Sequence, residues 1–167
     1  IGIDDYKGGV LAANHFIKYG HTNLAYVGEY LYDSPVVNER FRGFSETLLA
    51  SGMPLEESHA INFISMEDTI NKLISIRNNH LGIFAFSDIL SLKIINELSK
   101  KGFSVPEDFS IIGFDNLEIC SFSQPGLTTI KQDIVHKAIT AVDLLFKYIN
   151  SPEMAPQSIV LDVELIE

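Results

Sequence analysis

Four short apolar runs, LAYVG, HAINF, LGIFAFS and FSIIGF, are separated by longer stretches in which apolar residues recur at helical spacing. This alternation is the strongest constraint on the fold. A run of a few apolar residues without polar interruption suits a strand covered on both faces, and strands joined through helices run parallel. The chain is therefore expected to be α/β, a Rossmann-like parallel sheet with flanking helices. Helices are expected over Asp5–Tyr19, Val36–Ser51, Met66–Arg77, Ile89–Lys101 and Gln132–Asn150, with Gly20, Gly52 and Gly102 as C-caps. The tail QSIVLDVELIE alternates like a further strand, at an edge.

With 167 residues, 46% hydrophobic and 20% charged, the chain suffices for one core. No apolar run reaches the length of a membrane span, and IGIDDYKGG has neither the basic start nor the apolar centre of a signal peptide, so a cytoplasmic location is expected. The single cysteine, Cys120, cannot close an internal disulfide and reads as a small core filler. The five histidines lack metal-ligand spacing, so neither a metal nor a cofactor is expected. A formal charge of −10 with dispersed basic residues would repel a phosphate backbone or an anionic membrane.

The stretch VPEDFSIIGFDN carries the first candidate for chemistry. Asp115 stands directly beyond a doubly buried strand, where ligands of open α/β sheets bind, because loops and helix N-termini converge at the strands' carboxyl ends. The residues after LAYVG and LGIFAFS share that rim. Arg40, in RFRGF near the start of the second helix, offers a planar fork of donors, while Asp115 can only accept. Together they suit a clamp on a polyol, or else a structural salt bridge, and spacing alone leaves both open. Phe84 and Phe86 alternate onto one face, where an aromatic at the strand's end can stack on a sugar or a base, core packing being expected for Phe86. Asp88 reads as an N-cap, and Ser34 with Pro35 as a helix start. In the last helix His136, Thr140, Asp143 and Lys147 form one narrow polar stripe, which leaves a wide apolar surface. No dinucleotide fingerprint, P-loop or nucleophile elbow occurs, and no enzymatic activity is expected.

In this order, the motifs IDDYKGGVLAANHFIKYGHTNLAYVG, RFRGF, IFAFSD, KKGFSVPEDFSIIGFDN and QPGLTTIKQD resemble those of LacI/GalR-type bacterial transcription regulators, through nearly the whole chain. The resemblance implies a ligand-sensing module of two lobes of periplasmic binding protein-like type I fold, preceded by a helix-turn-helix head. Residues 1–167 then correspond mainly to the C-terminal lobe, with a helix around 132–150 that packs on the other lobe and thereby covers its apolar face. Carried over by motif, Arg40 and Asp115 hold the effector, Phe84 matches a stacking aromatic, and Ser87 sits where a polar side chain, often asparagine, reaches the ligand. Leu92 and the 116–123 loop, including Ser123, match a subunit interface, so a homodimer is implied.

The function expected is the sensing part of a regulator whose small-molecule effector, a sugar or a related compound, controls DNA binding through the head alone. The competing readings are the solute-binding protein of a sugar transporter and a small-molecule enzyme on a Rossmann-like sheet.

Overall fold

The computed structural model describes residues 1–29 and 34–167. The strands are β1 (Gly2–Ile3), β2 (Leu24–Gly28), β3 (Ala60–Asn62), β4 (Leu81–Ala85), β5 (Phe109–Asp115), β6 (Thr128–Gln132), β7 (Val160–Leu161) and β8 (Val163–Ile166). The helices are α1 (Asp5–Lys18), α2 (Pro35–Ala50), α3 (Met66–Ile76), α4 (Asp88–Lys100) and α5 (Ile134–Asn150). One six-stranded sheet runs in the order β3-β2-β4-β5-β6-β8, parallel except for β8, which pairs antiparallel with β6 at the edge. A separate two-stranded sheet pairs β1 with β7.

The strand runs are apolar throughout because both faces of the sheet are covered. On one face Tyr26, Phe84, Ile112 and Phe114 pack with Phe16, Phe44 and Leu48 of α1 and α2. On the other, Val27, Ile83 and Ile111 pack with Ile70, Leu73, Ile94 and Leu98 of α3 and α4. Period-two alternation along each strand sends successive side chains to opposite layers. Gly20, Gly52 and Gly102 have φ of 77°, 77° and 86°, the left-handed geometry that ends α1, α2 and α4.

Two glycines bring α1 and α2 into backbone contact. A Cβ on Gly9 would lie 2.1 Å from the Arg40 carbonyl oxygen, and one on Gly43 would lie 2.0 Å from that of Tyr6. Only residues without a side chain permit this approach, and it sets the first turn of α1 against the middle of α2.

Three expectations need correction. Ser87, not Asp88, is the N-cap of α4, its hydroxyl accepting from the Leu90 N–H at 3.3 Å. Asp88 is the first helical residue and is fully buried. Its carboxylate is needed inside, where three donors converge on it. Gln132 ends β6 rather than opening a helix, and Asp133 caps α5 by accepting from the His136 N–H at 2.8 Å. The tail forms two strands, only the second at the edge of the main sheet. β6, in the LTTIKQ segment, escaped sequence reading because Thr128, Lys131 and Gln132 dilute its apolar signal.

The last helix keeps the wide apolar surface read from its sequence. Leu144 is its one buried residue, while Ile134, Val135, Ile139, Val142, Leu145, Phe146 and Ile149 are each at least half exposed. Among the described residues no helix is long and apolar enough to cross a membrane.

Candidate functional site

The carboxyl ends of β4 and β5 and the facing starts of α1, α2 and α4 form one rim. The expectation that the residues after β2 share it falls, beyond Glu29, outside the described residues. Asp115 ends β5 with φ of 116°, and Asn116 follows with φ of 55°. Two consecutive side-chain-bearing residues at positive φ make a costly turn, kept only where the surroundings over-determine it. The surroundings here are hydrogen bonds. The Asn116 N–H donates to Thr129 Oγ1 at 3.2 Å, and the Leu117 N–H to Asp88 Oδ2 at 2.8 Å. Thr129 Oγ1 in turn donates to Asp88 Oδ1 at 2.5 Å. A buried carboxylate therefore holds the turn that aims Asp115.

Asp115 is itself half-buried, and Gln132 Nε2 donates to its Oδ1 at 2.6 Å. Burial pushes its pKa up, against the opposing pull of Arg40 and the Gln132 hydrogen bond. No described residue donates to Oδ2, which leaves it as an acceptor.

Arg40 does not bridge to Asp115. Its Nε donates to Asp5 Oδ1 at 2.8 Å and its Nη1 to the Phe86 carbonyl at 2.5 Å. Its guanidinium carbon stands 3.5 Å from the centroid of the Phe114 ring. Stacked and pinned in this way, the guanidinium cannot swing, and the bonds described use two of its five N–H groups. The salt bridge considered from sequence thus exists with a different carboxylate, and both Arg40 and Asp115 keep capacity for a third party. Sequence reasoning missed Asp5, although IDD places two acids where one N-cap suffices. Asp4 takes the cap, accepting from the Lys7 N–H at 2.8 Å, and leaves Asp5 for another partner.

Phe84 is corrected by its burial. It is fully enclosed, with ring centroids of Tyr26 at 5.4 Å and Phe44 at 5.3 Å, so it faces the α1–α2 layer rather than solvent. Period-two reading found its face but not its depth in the strand. Phe86, one step beyond β4, is half-buried and packs against both cores. Ser87 is half-buried; while its oxygen caps α4, its O–H can still donate.

Leu92 and Ser123 lie away from this rim. Leu92 is half-buried against the α3–α4 core. Ser123 closes a 3-10 turn, Glu118–Phe122, by donating to the Cys120 carbonyl at 2.8 Å. Ile119 and Phe122 of that turn are exposed, at 50% and 74%. Cys120 is buried, and desolvation together with its hydrogen bond to Asp88 raises its thiol pKa to about 12, which suits a packing role rather than a nucleophile. No group of three or more metal-ligating side chains occurs among the described residues.

The family model for periplasmic binding protein-like domains matches residues 13–167. The HTH-type transcriptional regulator DegA of Bacillus subtilis (strain 168) is 35% identical over 170 residues, covering 98% of this chain and 49% of the relative. The HTH-type transcriptional repressor PurR of Actinobacillus pleuropneumoniae serotype 3 (strain JL03) is 32% identical over 169 residues, covering 98% and 50%. The chain thus spans about half the length of these curated relatives. Among solved structures, the transcriptional regulator CelR in complex with cellobiose superposes with a TM-score of 0.89 at 27% identity, over 99% of this chain and 51% of that one. A LacI family transcriptional regulator from Enterococcus faecium with bound ribose gives 0.87 at 31% identity, over 99% and 62%.

Proposed function

Because this chain belongs to the periplasmic binding protein-like domain family, in its LacI-type regulator branch, we propose that it is the ligand-sensing part of a transcription regulator, and that it binds a small polyhydroxyl effector, a sugar or a close relative, at the rim between Arg40 and Asp115. The observation that carries this reading is the split of hydrogen-bonding capacity there. Arg40 is immobilised by Asp5, Phe86 and Phe114 yet retains N–H donors, and Asp115 retains an acceptor. A hydroxyl both donates and accepts, so it can satisfy the two at once, with the Ser87 hydroxyl as a third contact. The cellobiose and ribose bound by similar regulators support the same ligand class.

In this reading residues 1–167 form the C-terminal lobe of a two-lobed module, and α5 lays its apolar face on the other lobe. Ligand in the cleft changes how the lobes sit, and the change governs a helix-turn-helix head, the only part that touches DNA. The work is done in the cytoplasm by a homodimer in contact through Leu92 and the 116–123 loop, and no bond of the effector is broken.

The test is calorimetric titration of ribose, cellobiose and a wider sugar panel into the two-lobed protein. Arg40→Ala and Asp115→Ala should each weaken binding roughly tenfold or more, the effect of losing one hydrogen bond to a charged group. Unchanged titrations in both variants would remove these residues from the site.

A further inference from the structure

We propose that Asp5 sets the charge selectivity of this site: by pairing with the Arg40 Nε it cancels the guanidinium charge while leaving the outer N–H groups to donate, so the site takes uncharged polyhydroxyl ligands and rejects phosphorylated or carboxylated ones. The inference rests on the sensing function above and specifies the class of effector within it.

The Asp5–Arg40 pair is deep. Its side chains are 13% and 8% exposed at a separation of 2.8 Å, so solvent screens it little. Arg40 pulls the Asp115 pKa down, whereas Asp88 and Asp5 both push it up. The nearby lysines are engaged elsewhere. Lys131, which faces Asp115 across the β5–β6 register, holds Glu164 at 2.7 Å, and Lys7 holds Asp162 at 2.5 Å. One guanidinium therefore answers Asp5 and Asp115 together, and the rim carries an excess of negative charge.

The consequence for a ligand follows from desolvation. A phosphate or carboxylate entering the rim gives up its hydration and meets Asp115 with no uncompensated cation in return. A hydroxyl loses much less, and it finds donors on Arg40 and an acceptor on Asp115. The structure thus separates two properties of arginine that usually act together. Geometry and hydrogen bonding remain for the ligand, and the charge is spent inside the protein.

Asp5→Asn isolates the charge, since asparagine keeps the volume and an oxygen to accept from the Arg40 Nε. The experiment follows the side-chain N–H resonances of Arg40 by NMR while inorganic phosphate, ribose and ribose 5-phosphate are added to the two-lobed protein, wild type and Asp5→Asn. Wild type should respond to ribose and not to the two anions. Asp5→Asn should acquire a phosphate response and shift the preference for ribose 5-phosphate over ribose by roughly tenfold or more, whereas Asp5→Glu, which retains the charge, should not. A purely structural Asp5 would weaken all ligands alike, and that result overturns the inference. So does a wild-type two-lobed protein that takes ribose 5-phosphate as well as ribose; this arm needs no variant to fold, and it leaves the sensing function standing. If neither ribose nor any other sugar nor phosphate moved the Arg40 resonances, both the inference and the function beneath it would fall.

Discussion

Thr129 Oγ1 lies 2.5 Å from Asp88 Oδ1, with both residues almost fully buried, and the same hydroxyl accepts from the Asn116 N–H. One hydroxyl therefore joins the carboxylate at the head of α4 to the turn that carries Asp115. Thr129→Val keeps the shape and removes both bonds, leaving a buried carboxylate short of a donor and a backbone N–H unpaired. The expected cost is about 2–4 kcal/mol, read as a lower urea midpoint, with a smaller loss in Thr129→Ser, which keeps the hydroxyl. Equal stability of Thr129→Val and wild type would show that the pair holds nothing.

Gly43→Ala tests the helix contact beneath the Asp5–Arg40 pair. The added methyl would meet the Tyr6 carbonyl at 2.0 Å, so α1 and α2 must separate. A loss of roughly 1–3 kcal/mol is expected from this overpacking. Sugar binding should also weaken, because Asp5 rides on α1 and Arg40 on α2. The two losses are measured by urea unfolding and by calorimetry; a variant that bound normally would show that the helix approach does not set the site.

Asp115→Asn should stabilise the ligand-free protein while weakening the effector. Burial raises the Asp115 pKa, so the folded state favours the protonated form. The stabilising contribution is complete below the unfolded carboxylate pKa, about 4, and is lost as pH rises through the raised folded value. At neutral pH the wild type therefore holds a partly desolvated charge that asparagine does not. The variant should melt higher than wild type at pH 7 and show no advantage near pH 3. Melting curves across this range check the sign; a variant less stable at pH 7 would contradict it.

Leu92→Lys and Phe122→Lys should each give monomers by light scattering if the 116–123 loop and α4 meet their copies across a two-fold axis, because each places like charges at that axis. Phe122, 74% exposed, can be changed without touching the core. Dimers persisting in both variants would place the subunit contact elsewhere.

The exposed face of α5 should bind an apolar dye in this chain, and Leu145→Glu with Phe146→Glu should abolish most of the signal without lowering the urea midpoint, since both residues are 57% exposed. If the pair of changes unfolded the chain instead, α5 would be part of this lobe's own core.

The elements and their order are legible in local pattern. Doubly buried strands need uninterrupted apolar runs and helices need a periodic stripe, so β2, β4, β5 and all five helices were legible to within a residue or two at most ends. Local pattern also marked Arg40 and Asp115 as residues on one rim, since strand ends and helix starts gather there in any open parallel sheet. Pairing, by contrast, depends on how the elements pack. Whether Arg40 met Asp115 or Asp5 depended on how closely α1 approaches α2, a distance set by Gly9 and Gly43 rather than by any local pattern. Phe84 and Phe86 share a face in sequence, yet one is enclosed by Tyr26 and Phe44 and the other stands at the rim, because depth in a sheet is set by neighbouring strands. Asp88 reads locally as a cap and is instead a buried acceptor, since its three donors come from residues about 30 to 40 positions away. Short-range periodicity records the face a residue presents. The partner it meets is a property of the packed chain.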